Sequence, residues 1–219
     1  MTKSANEGVG SGVRRSQAER RRRSTKQVLN AAIKLFAERG YSHTTLAEIG
    51  EAAGYSRNIV RELFGSKEAI FVPVFNTISD TLARYRLPAM EGRVGLNAVL
   101  AFAESYLTAV ENSSEQIRAI YQLRMEATTV VPQFRETFQK ADAGYRVLMK
   151  SAIQQGIDAG EVDKSLQPTE TATLVVSMLR GLVIQWLMAP DRVNTTALRP
   201  FVREMILRML RPLKTDGAE

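Results

Sequence analysis

The 219 residues contain no cysteine, and histidine and tryptophan occur once each, as His43 and Trp186. Without thiols there are no disulfides, thiolate metal sites or cysteine nucleophiles, and a single imidazole cannot seed a zinc or iron centre. No metal or cofactor is therefore expected. Also missing are a nucleophile beside a base, paired catalytic carboxylates and a glycine-rich phosphate loop, which points away from an enzyme. Arginines at 14–15 and 20–23 are followed by polar residues, so no export signal is completed. The longest apolar stretch, Leu174 to Met188, is interrupted by Ser177, Arg180 and Gln185 and falls short of a membrane span. These absences lead us to expect a soluble, cytoplasmic protein with no membrane partner.

What is present is a basic N-terminal third on an otherwise near-neutral chain. Of the net charge of +7, residues 1–70 carry +6, from 13 basic and 7 acidic side chains, whereas residues 71–219 carry +1. A concentrated positive field attracts polyanions through Coulomb steering and counterion release, so nucleic acid is the leading partner and an anionic membrane surface the lesser one. The bland alternative for the arginines in residues 1–23 is a set of solvated charges.

Hydrophobic periodicity is helical nearly throughout, and no hairpin dipeptide separates alternating runs, so the expected fold class is all-α with about nine helices. Residues 1–23 read as a flexible basic tail. Ser24 or Thr25 can cap a first helix whose apolar face is Val28, Leu29, Ala32, Ile33, Leu35 and Phe36, with Gly40 as its stop. Thr45 and Glu48 stand at capping-box spacing for a second helix. Gly54 supplies a tight turn, and Ser56 can cap a third helix with Ile59, Val60, Leu63 and Phe64 inward. Further helices are expected at about 66–86, 94–112, 115–129, 133–158, 168–188 and 195–210, separated at Pro88, Pro132, Gly160 to Pro168 and Pro190. Pro73, one turn into the fourth, predicts a kink or a late helix start.

Three short helices joined by a glycine turn and flanked by arginines form the outline of a helix-turn-helix module, in which two helices support a third whose polar face enters the major groove. The particular residues say more. Thr25, Ala31-Ala32, Leu35-Phe36, Gly40-Tyr41, Thr44-Thr45, Ile49, Ala52-Ala53-Gly54, Ser56, Phe64 and Ser66-Lys67-Glu68 together resemble the N-terminal signature of the TetR family over residues 24–70. That resemblance implies a recognition helix from Ser56 to Phe64, with Thr44 or Thr45 and Lys67 holding phosphates. Helix starts do bind anions, and a lysine adds a point charge.

The chain departs from the family at three positions, with Asn58 where a glycine is usual, Arg61 where a tyrosine is usual, and Leu63 where an aromatic or histidine is usual. Arg61 can replace a phosphate contact or reach guanine, and Asn58 can read adenine. The DNA-facing set is thus expected to be Tyr55, Ser56, Arg57, Asn58 and Arg61 together with Thr44, Thr45 and Lys67. For Arg57 and Arg61 the structural alternative is a solvated face or an ion pair with Glu62 or Glu51; His43 reads as an exposed loop residue. Residues 14–23 can follow a minor groove or phosphates.

Residues 71–212 are expected to form a helical effector-binding and dimerisation domain, with 213–219 as a C-terminal tail. The resemblance implies an effector cavity, for which Tyr106, Tyr121, Gln122, Arg124, Phe138 and Trp186 are the candidate lining residues. Their character favours a hydrophobic or amphipathic small molecule. The last two helices carry apolar stripes, and Leu174, Met178, Leu182, Trp186, Phe201, Met205 and Arg208 are the expected dimer interface, with Gly181 allowing close approach. A homodimer on a palindromic operator, released when the effector repositions the fourth helix about Pro73, is the implied mechanism. The competing readings are an enzyme or carrier using the helical cavity and a nonspecific DNA-architectural protein.

Overall fold

The computed structural model describes residues 16–211, which form nine α-helices and no strand. In chain order these are α1 (Gln17–Arg39), α2 (Leu46–Ala53), α3 (Arg57–Phe64), α4 (Lys67–Met90), α5 (Gly95–Asn112), α6 (Ser114–Thr129), α7 (Arg135–Asp158), α8 (Pro168–Met188) and α9 (Thr195–Leu210), with a 3-10 turn at Pro132–Phe134 before α7. Expectations for residues 1–15 and for the tail 213–219 lie outside the described residues.

Helix α1 begins earlier than its apolar face suggests. Ser16, not Ser24 or Thr25, is the N-cap, and it forms a capping box with Glu19. Arg20 to Arg23 therefore belong to the first turns of a helix rather than to a flexible tail. The capping chemistry outweighs the missing apolar period, because a satisfied helix start needs no core contact of its own.

The prolines also behave differently from expectation. Helix α4 starts at Lys67 and runs without a break through Pro73 and Pro88 to Met90, so the late start expected at Pro73 and the stop expected at Pro88 are both absent. Each proline removes one backbone donor. Burial of Ile70, Phe71, Val74 and Ile78 keeps α4 helical past Pro73, and Pro88 sits in the final turn, where there is little helix left to disrupt.

Two apolar clusters organise the molecule. One joins Val28, Ile33, Phe36 and Ile49 of the N-terminal helices to Ile70, Phe71, Ile117, Leu123, Phe134 and Phe138. The other joins α5, α7, α8 and α9 through Val99, Phe102, Met149, Ile153, Val175, Leu179 and Ile206. The first cluster crosses the boundary expected at residues 70 and 71, which falls inside α4. The small basic bundle thus shares its core with α6 and the start of α7.

Helix α8 is long and apolar enough to cross a membrane by length and composition alone, with mean hydropathy 1.5 in its most apolar window. This corrects the expectation that the segment falls short of a span. The helix extends back to Pro168, and the hydroxyls of Thr171 and Thr173 are internally satisfied on the carbonyls of Gln167 and Thr169. Its buried face packs on α7 and into the second cluster.

Candidate nucleic-acid interface and internal cavity

Helices α2 and α3 meet at a turn built around two glycines. Gly54 adopts left-handed backbone at φ 76°, ψ 27°, which favours glycine. Gly50 is required for a different reason: a Cβ there would stand 2.8 Å from the Tyr55 carbonyl oxygen and 3.2 Å from Val60 Cγ2. The sequence reading missed Gly50, since a glycine inside a helix carries no mark of what approaches it.

Ser56 caps α3 by accepting from the Ile59 amide at 3.4 Å. Val60 is fully buried, Leu63 and Phe64 are half-buried, and Arg57, Asn58, Arg61 and Glu62 are exposed. At 100° per residue those four occupy one arc of about 140°, a polar face opposite the packed one. Ile59, expected to point inward, is 39% exposed and lies at the edge of that polar face. Arg57 and Arg61 form no ion pair with Glu51 or Glu62 among the described residues. Two uncommitted guanidiniums and an amide on an exposed helix can approach a polyanion without first breaking internal contacts.

Other expected contacts have internal duties. Thr44 is fully buried and its hydroxyl donates to the Gly40 carbonyl at 2.8 Å, so it cannot offer that hydroxyl to a phosphate. Thr45 is exposed as the α2 N-cap, with its hydroxyl donating to Glu48 Oε2 at 2.7 Å. Those hydrogen bonds, ahead of the Arg39 guanidinium at 3.0 Å, hold the Glu48 carboxyl below its ordinary range. Tyr55 turns back onto α1: its hydroxyl donates to Gln27 Oε1 at 2.6 Å and accepts from Ser24 Oγ at 3.0 Å. Lys67 donates from Nζ to the Tyr41 carbonyl at 3.1 Å and lies 4.3 Å from the centre of the Tyr41 ring. His43 is exposed, as expected.

The loop between α1 and α2 is held from outside the small bundle. Glu126 of α6 accepts from the Tyr41 amide at 2.7 Å and the Ser42 amide at 2.8 Å, and also from the Ser42 hydroxyl. Gly40, at φ 81°, leaves room for that carboxylate, because a Cβ there would stand 2.2 Å from Glu126 Oε1. No periodicity in the sequence links residues 41 and 126.

N-terminal to Glu126, α6 lines an internal cavity of about 70 Å³ together with α4, α5, α7 and α8. Of the expected lining residues, Tyr106, Tyr121 and Arg124 line it. Gln122 does not; it is exposed and borders a shallow outer groove with Arg118 and Met125. Phe138 is buried behind the cavity wall, with the Arg124 guanidinium 4.7 Å from its ring centre. Trp186 packs under Arg118 at 5.1 Å, away from the cavity. Arg86, Tyr145 and Arg180 line the space and were missed. The available signal for Arg180 was a charge in the middle of an apolar helix. The hydroxyls of Tyr106 and Tyr121 stand 2.7 Å apart, and burial raises both phenol pKa values well above the ordinary range.

On the far side, α8 and α9 expose apolar side chains that nothing among the described residues covers. Leu174 is 60% exposed, Phe201 68% and Met205 56%, and Arg208 is exposed beside them on α9. Met178, Leu182 and Trp186 are half-buried. A Cβ on Gly181 would meet nothing within 4 Å. Ion pairs from Arg199 to Glu111 and from Arg203 to Glu104 at 2.7 Å tie α9 to α5, leaving its Phe201, Met205 and Arg208 side outward.

Residues 28–74 match the family described as bacterial regulatory proteins, tetR family, and residues 96–211 match that described as BetI-type transcriptional repressor, C-terminal. The chain is 26% identical to the HTH-type transcriptional regulator YhgD of Bacillus subtilis, covering 74% of this chain and 83% of that protein. It is 27% identical to the HTH-type transcriptional regulator TtgR of Pseudomonas putida, over 83% of this chain and 88% of the relative. Among solved structures, FadR of Bacillus subtilis in complex with stearoyl-CoA superposes with a TM-score of 0.72 at 18% identity, covering 84% of this chain and 98% of that one.

Proposed function

This chain belongs to the TetR family, as a transcriptional regulator and not an enzyme, and from that membership we propose that it is a cytoplasmic homodimeric repressor whose hold on a palindromic operator is released by a small molecule in the internal cavity. The observation that carries the DNA-binding part is the exposed arc of Arg57, Asn58 and Arg61 on a helix whose opposite face is locked by Val60. A groove-reading helix needs both a rigid seat and uncommitted donors.

Two such helices must stand about 34 Å apart to enter successive major grooves on one side of a duplex. The uncovered apolar faces of α8 and α9 supply a surface for pairing about a two-fold axis, since patches of that kind on a soluble chain mark interaction sites.

Ligand clefts commonly span about 300–1,000 Å³, so an effector of ordinary size forces the walls of the 70 Å³ cavity apart. Two of those walls, α4 and α6, also support the DNA-binding helices, through Ile70 and Phe71 on α4 and through Glu126 on α6. Phe75, in the cavity wall, belongs to an aromatic series with Phe71, Phe134 and Tyr41 that ends at the α1–α2 loop. Pro73 stands between Phe71 and Phe75, where one missing backbone donor eases movement of α4. An effector shifts the balance only by binding better to the state in which recognition helices and grooves no longer match.

Selection of bound duplexes from random DNA, followed by footprinting, tests the reading. The expected product is a palindrome protected symmetrically at moderate salt. Recovery of unrelated sequences with no discrete footprint would refute it.

A further inference from the structure

The charge of the cavity is out of balance. Arg86, Arg124 and Arg180 line it, and among the described residues no carboxylate does. Behind the wall, Asp142 accepts from Arg124 Nη1 at 3.0 and 2.8 Å and from Arg180 at 3.0 and 2.6 Å, so one carboxylate serves two guanidiniums. Among the described residues Arg86 has no carboxylate partner: it donates to the Tyr145 hydroxyl at 3.0 Å and lies 5.1 Å from the centre of that ring. Three positive charges thus face one negative charge. Side-chain exposure of Arg124, Arg180 and Asp142 is near 20% and Arg86 is half-buried, so water screens the surplus incompletely, and holding unmatched charge there is costly.

The phenols add a free donor. Tyr106 and Tyr121 both stay protonated near neutral pH, and the bond between them uses one hydroxyl proton of the two. The other has an acceptor to gain. Apart from these groups, the lining is mainly aromatic and aliphatic, including Phe75, Leu82, Phe102 and Ile120.

We propose that the effector, granted the ligand-released reading above, is an amphipathic organic anion. Its apolar body packs against Phe75, Phe102 and Ile120, and its carboxylate or phosphate is held by Arg86 with the outward N–H groups of Arg124 and Arg180 and the spare phenol proton. Guanidiniums suit such groups because their forked donors match two oxygens at once. The shared requirement is an acidic group on an apolar body.

Calorimetric titration of the full chain with decanoate, decyl phosphate, decanol and decylammonium tests this. At least one anion should bind about tenfold or more tighter than the alcohol and the amine, and the order of the two anions identifies the acidic group. Equal or stronger binding of decanol or decylammonium, or no binding of either anion up to millimolar concentration, overturns the proposal. Arg86→Met should lower anion affinity about tenfold with little change for decanol, because it leaves both Asp142 pairs intact, and Arg86→Lys should keep most of the preference. Undiminished anion preference in folded Arg86→Met overturns the assignment of Arg86. The same four compounds added to a complex with selected operator DNA separate the two readings. Release by decanol alone sinks the anion proposal and leaves the regulator standing, whereas tight anion binding without release supports the site and sinks its role as the effector switch.

Discussion

Among the described residues, Arg57, Asn58 and Arg61 differ from the other expected DNA contacts in having no internal partner that fixes them. The hydroxyls of Thr44 and Tyr55 and one N–H of Lys67 are engaged inside the protein, which suits them to holding α3 and its neighbouring loop in place in the proposed DNA complex. For Arg57→Ala and Arg61→Ala, competition binding at several salt concentrations distinguishes two roles. An arginine on a guanine edge should cost about 1–3 kcal/mol and relax preference at one base pair, while one on a phosphate should weaken all sequences and reduce the salt slope by about 1. No loss of affinity in either variant would remove α3 from the interface.

Among the elements, α6 has the largest span of duties. It packs extensively on α1, walls the cavity with Tyr121 and Arg124, and holds the α1–α2 loop through Glu126. Because Glu126 is half-buried and accepts from two backbone amides, Glu126→Gln should cost about 1–2 kcal/mol in a denaturant melt. It should also shrink the difference in DNA affinity between ligand-free and ligand-bound protein. A variant with native stability and native induction would show that the loop does not depend on this carboxylate. The continuity of α4 through two prolines gives it a similar role, since one unbroken helix bears on both the N-terminal bundle and the cavity.

At the scale of the whole molecule, the proposed two-fold pairing through the apolar faces of α8 and α9 would decide whether two α3 helices act together. Leu174 and Met205 are more exposed than buried within one chain, so Leu174→Glu with Met205→Glu should leave the fold intact by circular dichroism. Sedimentation should then find monomers, and operator affinity should fall by about a hundredfold or more as the second half-site is lost. A variant that remains dimeric would place the two-fold contact elsewhere. The surplus positive charge belongs to the N-terminal third of the sequence, which includes α3.

Much of this organisation is legible in the sequence, because it depends on local rules. Apolar repeats at three- and four-residue steps, the Thr45 and Glu48 capping box, and Gly54 in its turn mark out α2, α3 and their hinge from neighbours alone. The basic N-terminal third and the absence of cysteine likewise need no coordinates. The start of α1 was misplaced because its first turns rest on Ser16 and Glu19 with no apolar face to mark them. Packing decided what depends on residues far apart in the chain. Glu126 reaches the loop 85 positions away, Asp142 joins Arg124 to Arg180, and Gln122 and Trp186 turn out of the cavity that Arg86 and Tyr145 enter. Helical periodicity says which side of a helix is apolar, but which neighbour that side meets, and which charges are brought together, is set by the angles at which the helices pack.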